Sequence, residues 1–163
     1  SRKFRKQASM HEFMSRADEV RRMCLMLGAS LGGFAAYNNP LFRANKWVFN
    51  ILADGRALVV KKTDLRWDTN VQTIDDYCFT AQNLQRFGTV VVNKWVEPKC
   101  SRYTKGGYGS MESRMELRRK DVKHLLTTYP NQIKVATKKG WPEGTHIRVG
   151  RCNNIKAVKE TQP

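Results

Sequence analysis

Acidic side chains are what this sequence most lacks: 14 Asp and Glu stand against 30 Lys and Arg in 163 residues, a formal net charge of +16. A surface that needs only solubility mixes both signs. The excess therefore points to a polyanionic partner, nucleic acid first and an anionic membrane surface second. The shortage is uneven. Residues 1–45 carry 8 basic and 3 acidic side chains, 46–96 carry 7 and 5, and 97–163 carry 15 and 6. The C-terminal part is thus the expected polyanion face.

Cysteine is sparse, and its four copies are scattered. Cys24, Cys78, Cys100 and Cys152 lie 54, 22 and 52 positions apart, with no CxxC pair and no histidine at ligand spacing. Neither a zinc site nor a dense disulfide framework is expected, and a reducing compartment fits. His11, His124 and His146 are far apart with no nucleophile beside any of them, so no triad can be argued.

Long apolar runs are missing too. The most apolar stretch, "MCLMLGASLGGFAAY" over 23–37, is broken by three glycines and is shorter than the roughly 20 residues of a membrane-spanning helix. It reads as a helix end followed by a tight, packed loop, and no transmembrane segment is expected. There is no low-complexity tract, repeat or obvious linker. A chain of this length can bury a sizeable core, so one compact unit is expected, with an N-terminal extension over 1–70 and an α/β domain over 71–163.

What is present begins with a basic arm, "SRKFRKQASMH", readable as a processed start, a remnant of a targeting region or an arm that enters RNA. Ser9 to Glu12 spells a capping box. Met10, Phe13, Met14, Ala17, Val20, Met23, Cys24 and Leu27 then recur at spacings of 3 and 4 before Gly28, which predicts an amphipathic helix. The runs on either side of the Asp54-Gly55 step predict a β-hairpin with strands near 46–52 and 56–62. Thr73 opens a second capped helical pattern, with Asp75 and Asp76 complementing its dipole and Gly88 past its end. "TVVVNKWVEPK" follows as a strand covered on both faces. A helix from Met111 to Pro130 with an apolar back and a basic front comes next. Short strands over "NQIKVATKK", "THIRVGRC" and "IKAVKE" complete the chain, the last two joined at Asn153-Asn154. Strand, helix and strand over 89–137 form a predicted βαβ unit with parallel strands; the following hairpin extends its sheet.

This order, with a glycine-bearing turn at 106–110, a helix at 114–129, a strand at 133–137, Pro142 and the Asn153-Asn154 step, resembles a known family over residues about 82–160. It is the thioredoxin-like domain shared by several mitochondrial ribosomal proteins and a small accessory subunit of respiratory complex I. The resemblance implies a thioredoxin-like mixed sheet, βαβ plus β-hairpin, and a structural role inside a mitochondrion. It implies no cofactor and no small-molecule substrate. Redox chemistry would need CxxC at the strand-to-helix turn, where Cys100 stands alone; Cys24 and Cys78 fall on apolar helix faces and read as core thiols.

"CSRYTKGGYGS", residues 100–110, matches neither GxxxxGK[ST] nor a GxGxxG joining strand to helix. What it offers is backbone amides, cations and tyrosines able to stack on bases; a plain surface loop is the alternative. The expected RNA contacts are Arg2, Lys3, Arg5 and Lys6 on the arm, and Lys99, Arg102, Tyr103, Lys105 and Tyr108 around the loop. Arg114 and Arg118 lie on the helix. Lys138, Lys139, Trp141, Arg148 and Arg151 lie on the C-terminal strands and turns. Internal pairing of the helix cations with Glu112, Glu116 and Asp121 accounts for part of that cluster. The expected function is structural RNA binding within a large ribonucleoprotein, a mitochondrial ribosome, with ribosomal RNA and neighbouring ribosomal proteins as partners. Two alternatives stand beside it: an accessory subunit of a respiratory membrane complex, and a metal-dependent nuclease using Glu97 with Glu12, Asp64 or Asp68. The nuclease would need carboxylates converging on Mg²⁺.

Overall fold

The computed structural model describes residues 9–35, 47–96, 111–137 and 139–150. Residues 1–8 of the basic arm, the segment 97–110 with Glu97, Lys99 and the loop "CSRYTKGGYGS", then Lys138, Arg151, Cys152, the Asn153-Asn154 step and the expected strand "IKAVKE" lie outside the described residues. Among those described, the chain forms an α/β fold of three helices, a mixed four-stranded sheet and a separate antiparallel hairpin.

Helix α1, Met10–Leu27, starts where the capping box places it: Ser9 Oγ accepts from the Glu12 amide at 3.1 Å, and Gly28 closes the helix with φ of 68°. Only part of the expected stripe is covered. Val20 and Cys24 are buried, with Phe13, Ala17 and Met23 packed beside them, whereas Met10, Met14 and Leu27 stay exposed. Length explains this. An 18-residue helix runs about 27 Å, while the strand beneath it covers about 13 Å, so the ends of α1 overhang.

That strand, β1 (Leu31–Phe34), corrects the expectation of a packed loop after α1. All four residues of "LGGF" are buried. Two glycines argue against a strand locally, but the packing requires one of them. A Cβ on Gly32 would overlap the Val20 side chain and come within 2.7 Å of Cys24 Sγ. The glycine lets α1 sit directly on the β1 backbone.

Strands β2 (Trp47–Phe49), β3 (Leu58–Val60) and β4 (Val91–Asn93) complete the sheet in the order β2-β4-β1-β3. β1 and β4 run parallel, with Gly32 opposite Val91 and Gly33 opposite Val92; β2–β4 and β1–β3 are antiparallel. The expected hairpin of β2 with β3 is therefore overturned, since the two lie on opposite edges. Their connection crosses the sheet end. Asn50 takes a left-handed φ of 58°, exchanges backbone and side-chain hydrogen bonds with Val90, and sends the chain toward helix α2, Asp75–Phe87. The Asp54-Gly55 step then turns against Asp76, whose Oδ2 accepts from the Gly55 amide at 3.3 Å. β1 and β4 hold the centre because they are buried throughout, while Phe49 and Val60 are exposed on the edges.

Alternation along β4 sets the layers. Val91 packs toward α1, whereas Val90 and Val92 pack with Phe79 and Leu84 of α2 on the other face. Val90, Val91 and Val92 are wholly buried, as a strand covered on both faces requires. α2 is apolar on two sides: Phe79 and Leu84 meet the sheet, while Ile74, Cys78 and Ala81 meet Val122, Leu125 and Tyr129 of a further layer. That layer is helix α3, Met111–Thr128, with strands β5 (Ile133–Val135) and β6 (Ile147–Val149).

The expected parallel βαβ unit over 89–137 is a second correction. β4 belongs to the four-stranded sheet, and among the described residues β5 pairs only with β6, antiparallel, in a separate two-stranded sheet. The reason is α2, which already covers that face of the main sheet and gives α3 and the ribbon its outer side. Thr73 does not cap α2 either: the N-cap is Ile74 with no side-chain bond, because Thr73 is bonded elsewhere.

Candidate nucleic-acid interface

The β5–β6 ribbon carries its cations by simple alternation. Ile133 and Ile147 point into the core, each 1% exposed. Lys134 and Arg148 point the other way and face each other directly across the strands. Like charges so placed destabilise a strand pair, and neither side chain forms an ion pair with a described residue. The ribbon is held in register by Ala136 N–H to His146 O at 2.9 Å and by Gly150 N–H to Gln132 O.

The loop between the strands holds exposed Lys139 and half-buried Trp141. Arg118 reaches it from α3: Nε donates to Thr145 O at 2.7 Å, and the guanidinium carbon lies 4.9 Å from the Trp141 ring centre and 5.9 Å from that of Tyr77. The Trp141 ring also meets His146 at 5.5 Å. Arg118 and Trp141 thus come together, but with each other. Their arrangement fastens the loop to α3 and α2.

On α3, Arg119, Lys120 and Lys123 are exposed without an ion pair among the described residues, while Arg114 is half-buried. Asp121, expected to neutralise part of this cluster, turns inward and is 2% exposed. Its Oδ2 accepts from the Thr73 amide at 2.7 Å, the Thr73 hydroxyl at 2.6 Å and the Gln72 amide at 3.2 Å. The carboxylate therefore serves the start of α2, and the outer face of α3 is more cationic than the sequence suggests. A hydroxyl two residues before Asp75 that looks like a cap gave no hint of this long-range bond.

The remaining chemistry-bearing groups are tied structurally. His124 Nε2 lies 2.8 Å from Asp68 Oδ2. Burial pushes the Asp68 carboxyl up, but hydrogen bonds from Asn70 and His124 outweigh it and leave its pKa below the usual value. Buried Asp54 pairs with Arg56. Asp76 is pushed up to about 6, first by burial, against the Gly55 hydrogen bond and with help from the charges of Asp54 and Asp75. Burial raises the Cys24 thiol to about 11 and, with the Asp68 charge adding, the Cys78 thiol to about 12. Both are protonated at neutral pH, as core thiols should be.

Of the nuclease candidates, Glu12 stands at the start of α1 and Asp68 is engaged by His124. Among the described residues no three His, Cys, Asp or Glu side chains come close enough to hold a metal ion, and no helix is long and apolar enough to cross a membrane.

The third of the chain with the smallest charge excess holds a cluster that composition conceals. Lys61, Lys62, Arg66 and Trp67 gather along one groove beside β3. The signal was "KKTDLRW" itself, cations next to a tryptophan just after a strand. Comparison of the chain with family models, with curated proteins and with solved structures finds no match.

Proposed function

We propose that this protein is a structural RNA-binding component of a large ribonucleoprotein. The observation that carries the reading is the Lys134–Arg148 pair, two directly opposed cations on the outer face of a ribbon, neither in an ion pair with a described residue. A fold keeps such a repulsive pair at low cost when phosphates neutralise it. Arg119, Lys120 and Lys123 on α3 and Lys139 in the ribbon loop add to the same charge class. The chemistry is phosphate neutralisation with counterion release, which positions the protein without reading bases. Arg118 acts in this reading by fixing the ribbon loop, and the basic arm and glycine-bearing loop supply further phosphate and stacking contacts.

A mitochondrial ribosome, with ribosomal RNA and neighbouring ribosomal proteins as partners, is the finer part of the proposal. Its support is the resemblance over 82–160. The thioredoxin-like identity rests on that resemblance alone, because β4 and β5 lie in different sheets.

Fluorescence-anisotropy titration of the full chain with labelled ribosomal RNA fragments tests the core of the reading. Binding should weaken steeply as salt rises. Absent or salt-insensitive binding overturns it. Co-sedimentation with ribosomal particles, rather than with respiratory membrane complexes, tests the assignment of the assembly.

A further inference from the structure

The segment 61–67 leaves edge strand β3 and folds back over the sheet's α2 face. Its Trp67 ring stacks on Phe79 of α2, centroids 4.3 Å apart and planes 22° from parallel. Phe79 is buried at 4% exposure, yet Trp67 remains 46% exposed. One face of the indole is thus backed by the core while much of the ring is open to solvent. A groove of about 350 Å³ runs alongside, lined by Val60, Lys61, Lys62, Arg66, Trp67 and Phe79 among others.

The groove is held in shape. Lys61 N–H bonds Ser30 O at 2.9 Å, the Leu65 amide bonds Thr63 Oγ1 at 3.2 Å, and Arg66 Nη1 donates to the Thr63 and Leu65 carbonyls at 2.9 Å each. Behind it, the His124–Asp68 contact ties the segment's end to α3. The nearby acids do not cancel the cations equally. Asp68 is engaged by His124 and Asn70, and Asp64 is exposed but does not line the groove. Lys61 and Lys62 are both exposed and form no ion pair with a described residue.

An aromatic ring fixed from behind, half open in front and flanked by cations has the two parts that unpaired nucleotides require, a stacking surface and phosphate neutralisation. We propose that the Trp67 groove is a binding site for single-stranded RNA, in which an unpaired base stacks on the indole and Lys61, Lys62 and Arg66 meet the flanking phosphates. The site rests on the RNA-binding reading but sits apart from the β5–β6 ribbon. It adds base contact to a protein whose ribbon and α3 cations touch only backbone.

The test uses the full chain, a fluorescein-labelled oligoadenylate, and poly-L-glutamate, which carries negative charge without bases. Trp67→Ala should weaken oligoadenylate binding about tenfold, as loss of one stacked base does, and Trp67→Phe should retain most of it. Lys61→Gln with Lys62→Gln should reduce the salt dependence. Poly-L-glutamate binding should be the same for wild type and Trp67→Ala. Ultraviolet irradiation of the wild-type complex should cross-link the oligonucleotide to the peptide containing Trp67; this serves even where Trp67→Ala fails to fold.

Unchanged oligoadenylate affinity in Trp67→Ala, or cross-links confined to other peptides, overturns the groove while leaving salt-dependent RNA binding intact. An equal loss for poly-L-glutamate also overturns it and marks an acidic-peptide site instead. Absence of RNA binding by the wild type overturns both this inference and the reading beneath it.

Discussion

Replacing Lys134 and Arg148 together by glutamine removes two charges from the ribbon's outer face while leaving Ile133 and Ile147 in the core. The two consequences have opposite signs. Removing one phosphate-neutralising cation lowers the slope of log affinity against log salt by about 0.7–0.9. Removing both lowers it by about 1.4–1.8, so a fourfold rise in salt costs the variant about 7- to 12-fold less affinity than it costs wild type. Folding stability should rise, because opposed like charges on paired strands cost on the order of 0.2–1 kcal/mol. Anisotropy titrations across a salt series give the slope, and urea unfolding gives the stability. An unchanged slope would refute the placement of the ribbon at the phosphate backbone. A drop in stability would show that the pair is not repulsive in the folded protein and would remove the main support for the proposed function.

Three further outcomes follow from the packing. Asp121→Ala strips the acceptor from the Thr73 amide and hydroxyl and the Gln72 amide, which should cost about 2–4 kcal/mol in urea unfolding; a change below about 0.5 kcal/mol would contradict the assigned role. Gly32→Ala should cost about 1–3 kcal/mol through overlap with Val20 and Cys24, and combining it with Val20→Ala should cost less than the two added together. Asp76 has a folded pKa raised to about 6 from 3.8, so its protonated form favours folding below the unfolded value and that contribution is lost as pH rises through about 6. The stability of Asp76→Asn relative to wild type should therefore improve by about 2 kcal/mol between about pH 4 and pH 7; a pH-independent difference would refute the burial of this carboxyl.

Local signals in the sequence held at Ser9, Gly28 and Gly88 and failed at Thr73, which reads as a cap but bonds Asp121 instead. Ser9 and Gly28 bound α1 because a cap needs only neighbouring backbone amides. Gly88 ends α2 for the same reason. The valines of β4 announce a strand covered on both faces, since three adjacent apolar residues have no polar side to turn outward. The site was less legible. Alternation places Lys134 and Arg148 on one outer face once the strands are paired, but before pairing nothing sets Lys134 apart from the other lysines. Asp121 looks like a surface partner for neighbouring cations and instead serves Thr73, 48 positions away.

By itself the sequence determined the net charge of +16, the helices, the apolar helix faces that hold Cys24 and Cys78, and the existence of most strands. These depend on composition, on periodicity and on contacts within a turn. Only the tertiary structure decided that β2 and β3 part to opposite edges, that "LGGF" is a central strand, that α3 and its ribbon pack on α2, and that Trp67 lies open on Phe79. Strand backbones carry interchangeable donors and acceptors, so their partners are chosen by competition for buried central positions across the whole chain. A residue as small as Gly32 wins such a place by what it lets come near.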